Sequence, residues 1–233
     1  MQRVALITGT RKGIGRELAE HFLAQGYAVA GCSRKDTKLA HADYTHFTCD
    51  VTDETGVAAM VRAVKKQHNR IDVLINNAGL AAMNHLLLTP RSTGEKLFSV
   101  NTLGAFVCMR ECAKIMSRQQ FGRIVNFTTV AVPLHLEGEA MYAASKAALE
   151  SLTKIAAREL GDMGVTVNAI GPTPVETDLI KHVAAEKIDA LIQRQAVKRL
   201  GNFKDIKNVV DFFVSEASSF ITGQIIYLGG IND

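Results

Sequence analysis

The sequence predicts an α/β fold in which one parallel, seven-stranded sheet is covered by helices on both faces. Seven short apolar runs, rich in β-branched residues, alternate along the chain with longer segments of helical periodicity. A glycine-rich turn follows the first of these runs. The chain has 233 residues and only 4 prolines, and no linker-like segment divides it. These observations predict a single domain over residues 1–233.

The composition argues against several classes of protein. Hydrophobic residues make up 47% of the chain and charged residues 21%, which is typical of a soluble protein with a large core. No apolar run is long enough to span a membrane, and the N-terminal one is too short for a signal peptide. We therefore expect a cytoplasmic protein with no membrane partner. The net charge of +4 is spread along the chain, which disfavours a nucleic-acid partner.

The four cysteines do not indicate a metal site. Cys32, Cys49, Cys108 and Cys112 lack the paired spacing of zinc ligands, and the first two lie in predicted strands. We expect reduced thiols and no bound metal.

The first strand, residues 3–8, leads directly into the turn GTRKGIG at residues 9–15, and a helical pattern follows. In this arrangement the backbone N–H groups and the helix N-terminus can receive a diphosphate. Glycine at positions 9, 13 and 15 permits the tight turn and the close approach of a ligand to the backbone. Such a turn alone is a weak signal, but its place after the first strand of an alternating chain strengthens it.

The second strand, Tyr27 to Cys32, ends at Ser33 and Arg34. An acidic residue at this point of a dinucleotide fold binds the ribose hydroxyls of NAD, whereas arginine suits a 2′-phosphate. Arg11 and Lys12 add positive charge in the glycine turn. The pattern favours NADP(H); the alternative is that these are solvated turn residues.

The third and fourth strands each deliver polar residues at their ends. Tyr44 to Cys49 is followed by Asp50, which can accept a hydrogen bond from an adenine amino group or simply cap the turn. Asp53 then begins a helix. Ile71 to Ile75 runs into NNAG at residues 76–79, a compact turn with many hydrogen-bond donors that suits contact with a cofactor sugar.

A long, mostly apolar helix is predicted from about Thr93 to Met116, with Asn101 in its middle. A buried amide needs a partner. A local irregularity that holds water and a helix–helix hydrogen bond are the two explanations. The fifth strand, Arg123 to Thr129, follows and ends in two hydroxyl groups.

Tyr142 and Lys146 lie one turn apart in MYAASKAALESL, a segment of strong helix formers. An ammonium beside a phenol lowers the pKa of the phenol, which would make Tyr142 a tuned proton donor. The competing interpretation is a half-buried aromatic next to a solvated lysine. The spacing alone does not decide between them.

The rest of the chain completes the alternation. The sixth strand is predicted at residues 164–170 and leads into a loop at 171–177. A helix over about 178–195, next to the expected substrate pocket, a helix over about 203–215 and a seventh strand over 221–228 follow.

Together, TGTRKGIG, the strand-end Asp50, NNAG, the mid-helix Asn101 and YAASK resemble the short-chain dehydrogenase/reductase family over essentially the whole chain. Within it the sequence is most similar to 3-oxoacyl-carrier-protein reductases, as ETDL after the sixth strand and ITGQ near the end indicate. The resemblance implies a Rossmann-like doubly wound sheet and NADPH-dependent reduction of a ketone, most simply a 3-oxoacyl thioester, to a secondary alcohol. It also implies a homotetramer or homodimer.

The resemblance implies a role for each matching residue. Tyr142 would donate a proton to the carbonyl, Lys146 would lower its pKa and bind the nicotinamide ribose, and Asn101 would position a relay water. The implied cofactor contacts are Gly9, Arg11, Lys12, Gly13, Ile14 and Gly15 for the phosphates, Ser33 and Arg34 for the 2′-phosphate, Asp50 and Val51 for the adenine, Asn77, Ala78 and Gly79 for the adenosine side, and Pro172, Val175 and Thr177 for the nicotinamide side.

Three departures from the family pattern affect these expectations. Thr129 stands where the family usually has a catalytic serine, so the hydroxyl is kept with an added methyl group. Pro172 and Thr173 replace Pro-Gly, and Gly229–Gly230–Ile231 replaces Asp-Gly-Gly near the C-terminus.

The identity of the substrate stays open at this point. Gln120 and Met163 occupy positions where carrier-using relatives often have arginine, although Arg118 and Arg123 are close. The substrate is therefore either a carrier-bound acyl group or a small molecule, and another small or apolar alcohol or ketone is the alternative. A non-catalytic NADP-binding sensor is the third hypothesis.

Overall fold

A computed structural model describes residues 2–175 and 185–231 of the chain. Its seven parallel strands form one sheet in the order β3-β2-β1-β4-β5-β6-β7. The strands are β1 (Val4–Thr8), β2 (Ala28–Ser33), β3 (Tyr44–Thr48), β4 (Val73–Asn76), β5 (Gly122–Phe127), β6 (Val165–Gly171) and β7 (Ile225–Tyr227). The predicted Rossmann-like fold is confirmed.

Eight α-helices connect the strands within the described residues. They are α1 (Gly13–Ala24), α2 (Glu54–His68), α3 (Arg91–Phe98), α4 (Ala105–Gln119), α5 (Ala131–Leu134), α6 (Ala140–Leu160), α7 (Ala185–Arg194) and α8 (Phe203–Val214). Two hydrophobic cores cover the sheet, one built with α1 and α8 and the other with α2, α4 and α6. Burial on both faces explains why the central strands are continuous apolar runs.

The predicted helix over residues 93–116 is in fact interrupted. A π-helical turn, Ser99–Gly104, separates α3 from α4. Gly104 is required here because a Cβ at this position would lie 2.7 Å from Cγ2 of Val51. The apolar pattern continues through residues 99–104, so the amide of Asn101 is the one sign of an irregularity in the sequence.

Several predicted element ends also need correction. The fifth strand ends at Phe127 rather than at 129, and the seventh covers Ile225–Tyr227 rather than 221–228. The short helix α5 was not predicted. Of the predicted substrate-loop helix, α7 covers 185–194, and residues 176–184 lie outside the described part of the chain.

The strand order reverses at β1, with β2 and β3 on one side and β4 on the other. In open parallel sheets, ligands bind in the crevice at the carboxyl ends of the strands at this point. The polar residues predicted for the site follow β1, β2, β4 and β5, so the topology brings them to this crevice.

Candidate active site

Tyr142 and Thr129 come together at the carboxyl end of β5. Thr129 is buried two residues after the strand, and Tyr142 is half-buried in the first turn of α6. The Thr129 Oγ1 accepts a hydrogen bond from Ala131 N at 3.2 Å, and its hydroxyl hydrogen-bonds the Tyr142 side chain. Threonine therefore places a hydroxyl beside the phenol, and contact of this hydroxyl with a substrate carbonyl stays a prediction.

The protein groups around Tyr142 raise its pKa to about 12, which differs from the sequence-based expectation. Loss of solvent on burial is the largest cause, a hydrogen bond from Thr129 opposes it, and the charge of Glu139 adds to it. The ammonium of Lys146 donates to the main-chain oxygen of Phe127 at 2.6 Å. These groups keep the phenol protonated at neutral pH.

Lys146 lies among apolar groups with its ammonium inside the protein. The residue is 5% exposed, and burial lowers the pKa of the amine to about 8. The charge of Glu150, one turn further along α6, acts in the opposite direction. Lys146 is thus a cation at pH 7 that releases a proton far more readily than an ordinary lysine.

Glu150 is a site residue that the sequence reasoning missed. It is buried on α6 and accepts a hydrogen bond from the hydroxyl of Thr128, which directly precedes Thr129. A buried carboxylate needs such a partner. The i,i+4 spacing from Lys146 was the available signal in the sequence.

Asn101 uses its whole side-chain amide to bind neighbouring segments. Its Oδ1 accepts from Leu80 N at 2.8 Å, and its Nδ2 donates to Leu80 O at 2.9 Å and to Ser145 Oγ at 3.0 Å. Both explanations from the sequence apply in part: the helix is irregular here, and the amide bonds to another helix. Holding of a water by Asn101 stays a prediction.

Ser145 connects the π-helical turn to the helix that carries the tyrosine. It is fully buried, donates to Tyr142 O at 2.7 Å and accepts from Asn101. Its main-chain oxygen accepts from Thr102 Oγ1 at 2.8 Å. Ser145 therefore positions the helix that carries Tyr142, a role that its place within YAASK did not reveal.

Gly79 brings the NNAG turn against Asn101 and Lys146. A Cβ built on Gly79 would lie 3.3 Å from Asn101 Oδ1 and 3.4 Å from Lys146 Nζ. Gly79 itself is exposed. A glycine at this position thus leaves room for the amide and the ammonium, and the cofactor contact of Gly79 stays a prediction.

Asn77 supports the glycine turn through hydrogen bonds to Thr8, the last residue of β1. Its Nδ2 donates to Thr8 O at 2.9 Å, and Thr8 Oγ1 accepts from Asn77 N at 3.1 Å and from Ala78 N at 2.9 Å. A Cβ on Gly9 would lie 2.7 Å from this amide, and one on Gly15 would overlap it. The Asn77 side chain thus supports the turn, and a direct cofactor contact by Asn77 or Ala78 stays a prediction.

The N-terminus of α1 fits an anionic group. Within the described residues no side chain caps it, and its first turn contains no acidic residue. Gly13 has a φ of +59°, and a Cβ there would meet nothing within 4 Å. The exposed Arg11 and Lys12 precede it, and Ile14 packs against the core. Free N–H groups, open space and positive charge together suit a diphosphate.

The residues predicted for the adenosine end lie at the ends of β2 and β3. Ser33 donates to Lys35 O at 2.5 Å, and Arg34 is exposed beside it. Asp50 Oδ1 accepts from Thr52 N at 3.0 Å, so its carboxylate caps the turn. Val51 is buried against Gly104. Contact of Asp50 and Val51 with adenine stays a prediction.

The nicotinamide side is described only in part. Pro172 O accepts from Val130 N at 3.4 Å, and Val175 forms a parallel bridge with Gly201. Thr177 lies outside the described residues. The loop after β6 is therefore fixed next to the hydroxyl-bearing end of β5.

Comparison with known proteins identifies the family. The family described as enoyl-(acyl carrier protein) reductase matches residues 9–231. The chain belongs to the short-chain dehydrogenase/reductase family. It is 34% identical to the 3-oxoacyl-[acyl-carrier-protein] reductase FabG of Staphylococcus aureus, covering 99% of this chain and 98% of that protein. It is 29% identical to FabG of Escherichia coli, with 98% and 96% covered.

Solved structures of the family have the same fold. ElxO with NADP bound has a TM-score of 0.91 at 29% identity, covering 99% of this chain and 98% of that one. The aldohexose dehydrogenase of Thermoplasma acidophilum has a TM-score of 0.90 at 28% identity, covering 99% and 94%. The predicted family and fold are thus confirmed by both sequence and structure.

Residues 2–175 and 185–231 contain neither a candidate metal site nor a candidate membrane span. No group of three His, Cys, Asp or Glu side chains there could hold a metal ion. No helix in this part of the chain combines the length and apolarity needed to cross a membrane.

Proposed function

We propose that this protein is an NADPH-dependent oxidoreductase that reduces a ketone to a secondary alcohol, with a 3-oxoacyl thioester as the substrate class. The observation that carries the proposal is the convergence of Tyr142, Thr129, Lys146 and Asn101 at the sheet edge beside the glycine turn. The relatives named 3-oxoacyl-[acyl-carrier-protein] reductase and the NADP-bound ElxO support it.

The nicotinamide, when bound, supplies a hydride to the carbonyl carbon. The turn at residues 9–15 and the N-terminus of α1 would hold the diphosphate. Ser33 and Arg34 would bind the 2′-phosphate, and Lys146 would bind the nicotinamide ribose next to Gly79. A Cβ at Gly13 would meet nothing within 4 Å, so this part of the turn has room for such a ligand.

Tyr142 delivers the proton to the carbonyl oxygen. Reduction requires the protonated phenol at the start, and the raised pKa keeps it in that form at neutral pH. The Thr129 hydroxyl orients the phenol and is itself fixed by Ala131 N. Threonine can therefore perform the function of the usual serine in this pocket.

Lys146 restores the proton to Tyr142. Because the pKa of the amine is lowered to about 8, the ammonium is a stronger acid than the phenol and can serve as the proton source when Tyr142 is reprotonated. Asn101 anchors the segment on the solvent side of the lysine through Leu80. A water at Asn101 would connect Lys146 to solvent.

Two arginines close in sequence to Gln120, Arg118 and Arg123, bear on how the substrate is presented. Arg123 is buried, donates to main-chain oxygens of Gly122, Gly164 and Ser215, and lies 4.4 Å from the ring centroid of Phe121. Because its side chain is buried, Arg123 cannot contact a carrier protein. Arg118 is exposed and is therefore the arginine of this pair that could make such a contact. This favours, as the second candidate, an NADP(H)-dependent dehydrogenase of a free small or apolar alcohol or ketone.

The outer faces of α4 and α6 support assembly into a homodimer or homotetramer. Ile155 on α6 and Leu103 and Phe106 near the start of α4 are 51%, 58% and 38% exposed. Ala144 and Ser151 on α6 are also exposed, so packing within one chain does not bury this small-residue face. A second copy of the chain would cover it.

A substrate panel tests the proposal. Purified protein is mixed with NADPH and with 3-oxoacyl thioesters, their carrier-protein forms and free ketones, and NADPH absorbance is followed. Turnover that falls at least 10³-fold in Tyr142→Phe, with unchanged NADPH binding, would support the reductase. NADPH binding without oxidation of NADPH by any substrate would instead indicate a sensor. Turnover unaffected by Tyr142→Phe would refute the assigned mechanism.

A further inference from the structure

A continuous chain of side-chain hydrogen bonds connects the glycine turn to the end of β2. Thr10 Oγ1 lies 2.9 Å from Tyr44 Oη, and Tyr44 Oη lies 2.9 Å from Nδ1 of His46. The other ring nitrogen, Nε2, lies 3.2 Å from Ser33 Oγ and 3.2 Å from Lys35 O. Four side chains from three separate segments thus link the two ends of the proposed nucleotide site.

The backbone is shaped to allow this chain. His46 pairs with Gly31 across β2 and β3, so Tyr44, His46 and Ser33 share one face of the sheet. A Cβ on Gly31 would overlap the Tyr44 hydroxyl and lie 2.5 Å from Thr10 Oγ1. Glycine at position 31 therefore leaves the space in which these two hydroxyls meet.

The direction of each hydrogen bond follows from the last acceptor. Lys35 O can only accept, so Ser33 Oγ, 2.5 Å away, donates to it. The Ser33 proton is then used, and Nε2 of His46 must carry a proton that it donates to Ser33 or to Lys35 O. In a neutral imidazole Nδ1 is then the acceptor. Burial raises the pKa of Tyr44, which keeps its hydroxyl protonated and able to donate to Nδ1.

Two donors, Ser33 O–H and His46 Nε2–H, therefore converge on one oxygen at the end of β2. This is the place where a dinucleotide fold binds the 2′-substituent of the adenosine ribose. The neighbouring Arg34 and Lys35 are exposed, and the carboxylate of Asp36 accepts a hydrogen bond from Thr37 N. A phosphate dianion is a stronger acceptor than a carbonyl oxygen or a ribose hydroxyl.

We propose that His46 is a specificity-determining residue for the 2′-phosphate of NADP(H), which it recognises together with Ser33. The inference deepens the proposed function and rests on its choice of nucleotide. Nε2–H of His46 and the Ser33 hydroxyl turn from Lys35 O to the phosphate oxygens. Tyr44 fixes the imidazole in the tautomer that donates in this direction, and Thr10 fixes Tyr44.

The test uses probes that do not depend on catalysis. Adenosine 2′,5′-bisphosphate and 5′-AMP differ by the 2′-phosphate, and their dissociation constants are measured by calorimetry. His46→Leu removes both ring nitrogens and should weaken bisphosphate binding about tenfold while changing AMP binding less than twofold. His46→Gln keeps an N–H donor and should recover most of the loss. His41→Gln, at an exposed position before β3, is the matched control and should change neither constant.

Kinetics provide a second measurement on the same variants. His46→Leu should raise the KM for NADPH about tenfold, with the KM for NADH and the kcat at saturating NADPH unchanged. Tyr44→Phe, which leaves the imidazole in place without its donor, should lower the preference for NADPH by a smaller factor. This variant keeps the proposal testable if His46→Leu does not fold.

The outcomes separate the two proposals. Equal weakening of bisphosphate and AMP in His46→Leu would show a merely structural role and would overturn the inference. Unchanged dissociation constants of both probes in His46→Leu would overturn it as well, while leaving NADPH as the cofactor. A wild-type protein that does not discriminate between the probes would refute the choice of NADPH, and the inference would fall with it.

Discussion

Replacing Lys146 by methionine should stabilise the fold at neutral pH while removing turnover. The pKa of the buried amine is lowered from 10.5 to about 8, so the folded protein holds the lysine proton less tightly than the unfolded chain does. At 1.36 kcal/mol for each pKa unit, this disfavours the wild-type fold by about 3 kcal/mol at pH 7. Loss of the hydrogen bond to Phe127 O costs about 1–2 kcal/mol. The variant should therefore be about 1–2 kcal/mol more stable.

The pH dependence isolates the charge from the lost hydrogen bond. The cost of burying the ammonium is fully present below pH 8 and disappears as the pH rises towards 10.5, because the folded protein releases its proton first. Between pH 7 and pH 9.5, the unfolding free energy of the wild type should therefore increase by about 2 kcal/mol relative to that of Lys146→Met.

Urea unfolding followed by circular dichroism at both pH values measures this difference. Lys154→Met, at an exposed position of the same helix, is the control and should show no such change. An identical stability difference at pH 7 and pH 9.5 for Lys146→Met would refute the lowered pKa.

Three further substitutions test other contacts of the site. Thr129→Val should lower kcat about 10²-fold, because the phenol loses its hydroxyl partner. The kcat of Thr129→Ser should stay within about threefold of the wild-type value, and a similar loss in both variants would show that packing is responsible. Glu150→Gln should shift the alkaline limb of the kcat–pH profile about one pH unit lower, since Glu150 raises the pKa of Lys146. The control Glu95→Gln, at an exposed position of α3, should leave the profile in place. Ser145→Ala should destabilise the fold by about 1–2 kcal/mol in urea titrations and lower kcat without changing NADPH binding. An unchanged kcat would argue against the positioning role of Ser145.

The sequence predicts the sheet, the helices and the main site residues because each depends on a local pattern. The apolar runs identify the strands, and the i,i+4 spacing places Tyr142 and Lys146 on one face. What the sequence could not show depends on contacts between distant segments. Asn101 lies in a π-helical turn because it bonds to Leu80 and Ser145, and neither partner can be inferred from the helical pattern.

The expected lowering of the pKa of Tyr142 has the wrong sign, because the protein groups raise this pKa. The spacing placed a cation next to the phenol, and a nearby positive charge lowers the pKa of a phenol. Burial depends on the packing of the whole crevice, and here it outweighs any such effect. Local spacing identifies the interacting groups, but the tertiary structure decides which electrostatic effect is larger.

The opposite pKa shifts of Tyr142 and Lys146 set the resting protonation state of the site. The pKa of the phenol is raised to about 12 and that of the amine is lowered to about 8, so both groups are protonated at neutral pH and the amine is the stronger acid of the two. Once Tyr142 has protonated the carbonyl oxygen, Lys146 can recharge it and then recover a proton from solvent. Alcohol oxidation starts instead from the phenolate, a form that these groups disfavour at neutral pH. The protein groups therefore set the protonation state in which each direction begins, and a nucleotide that brings positive charge near the phenol would make the phenolate easier to form.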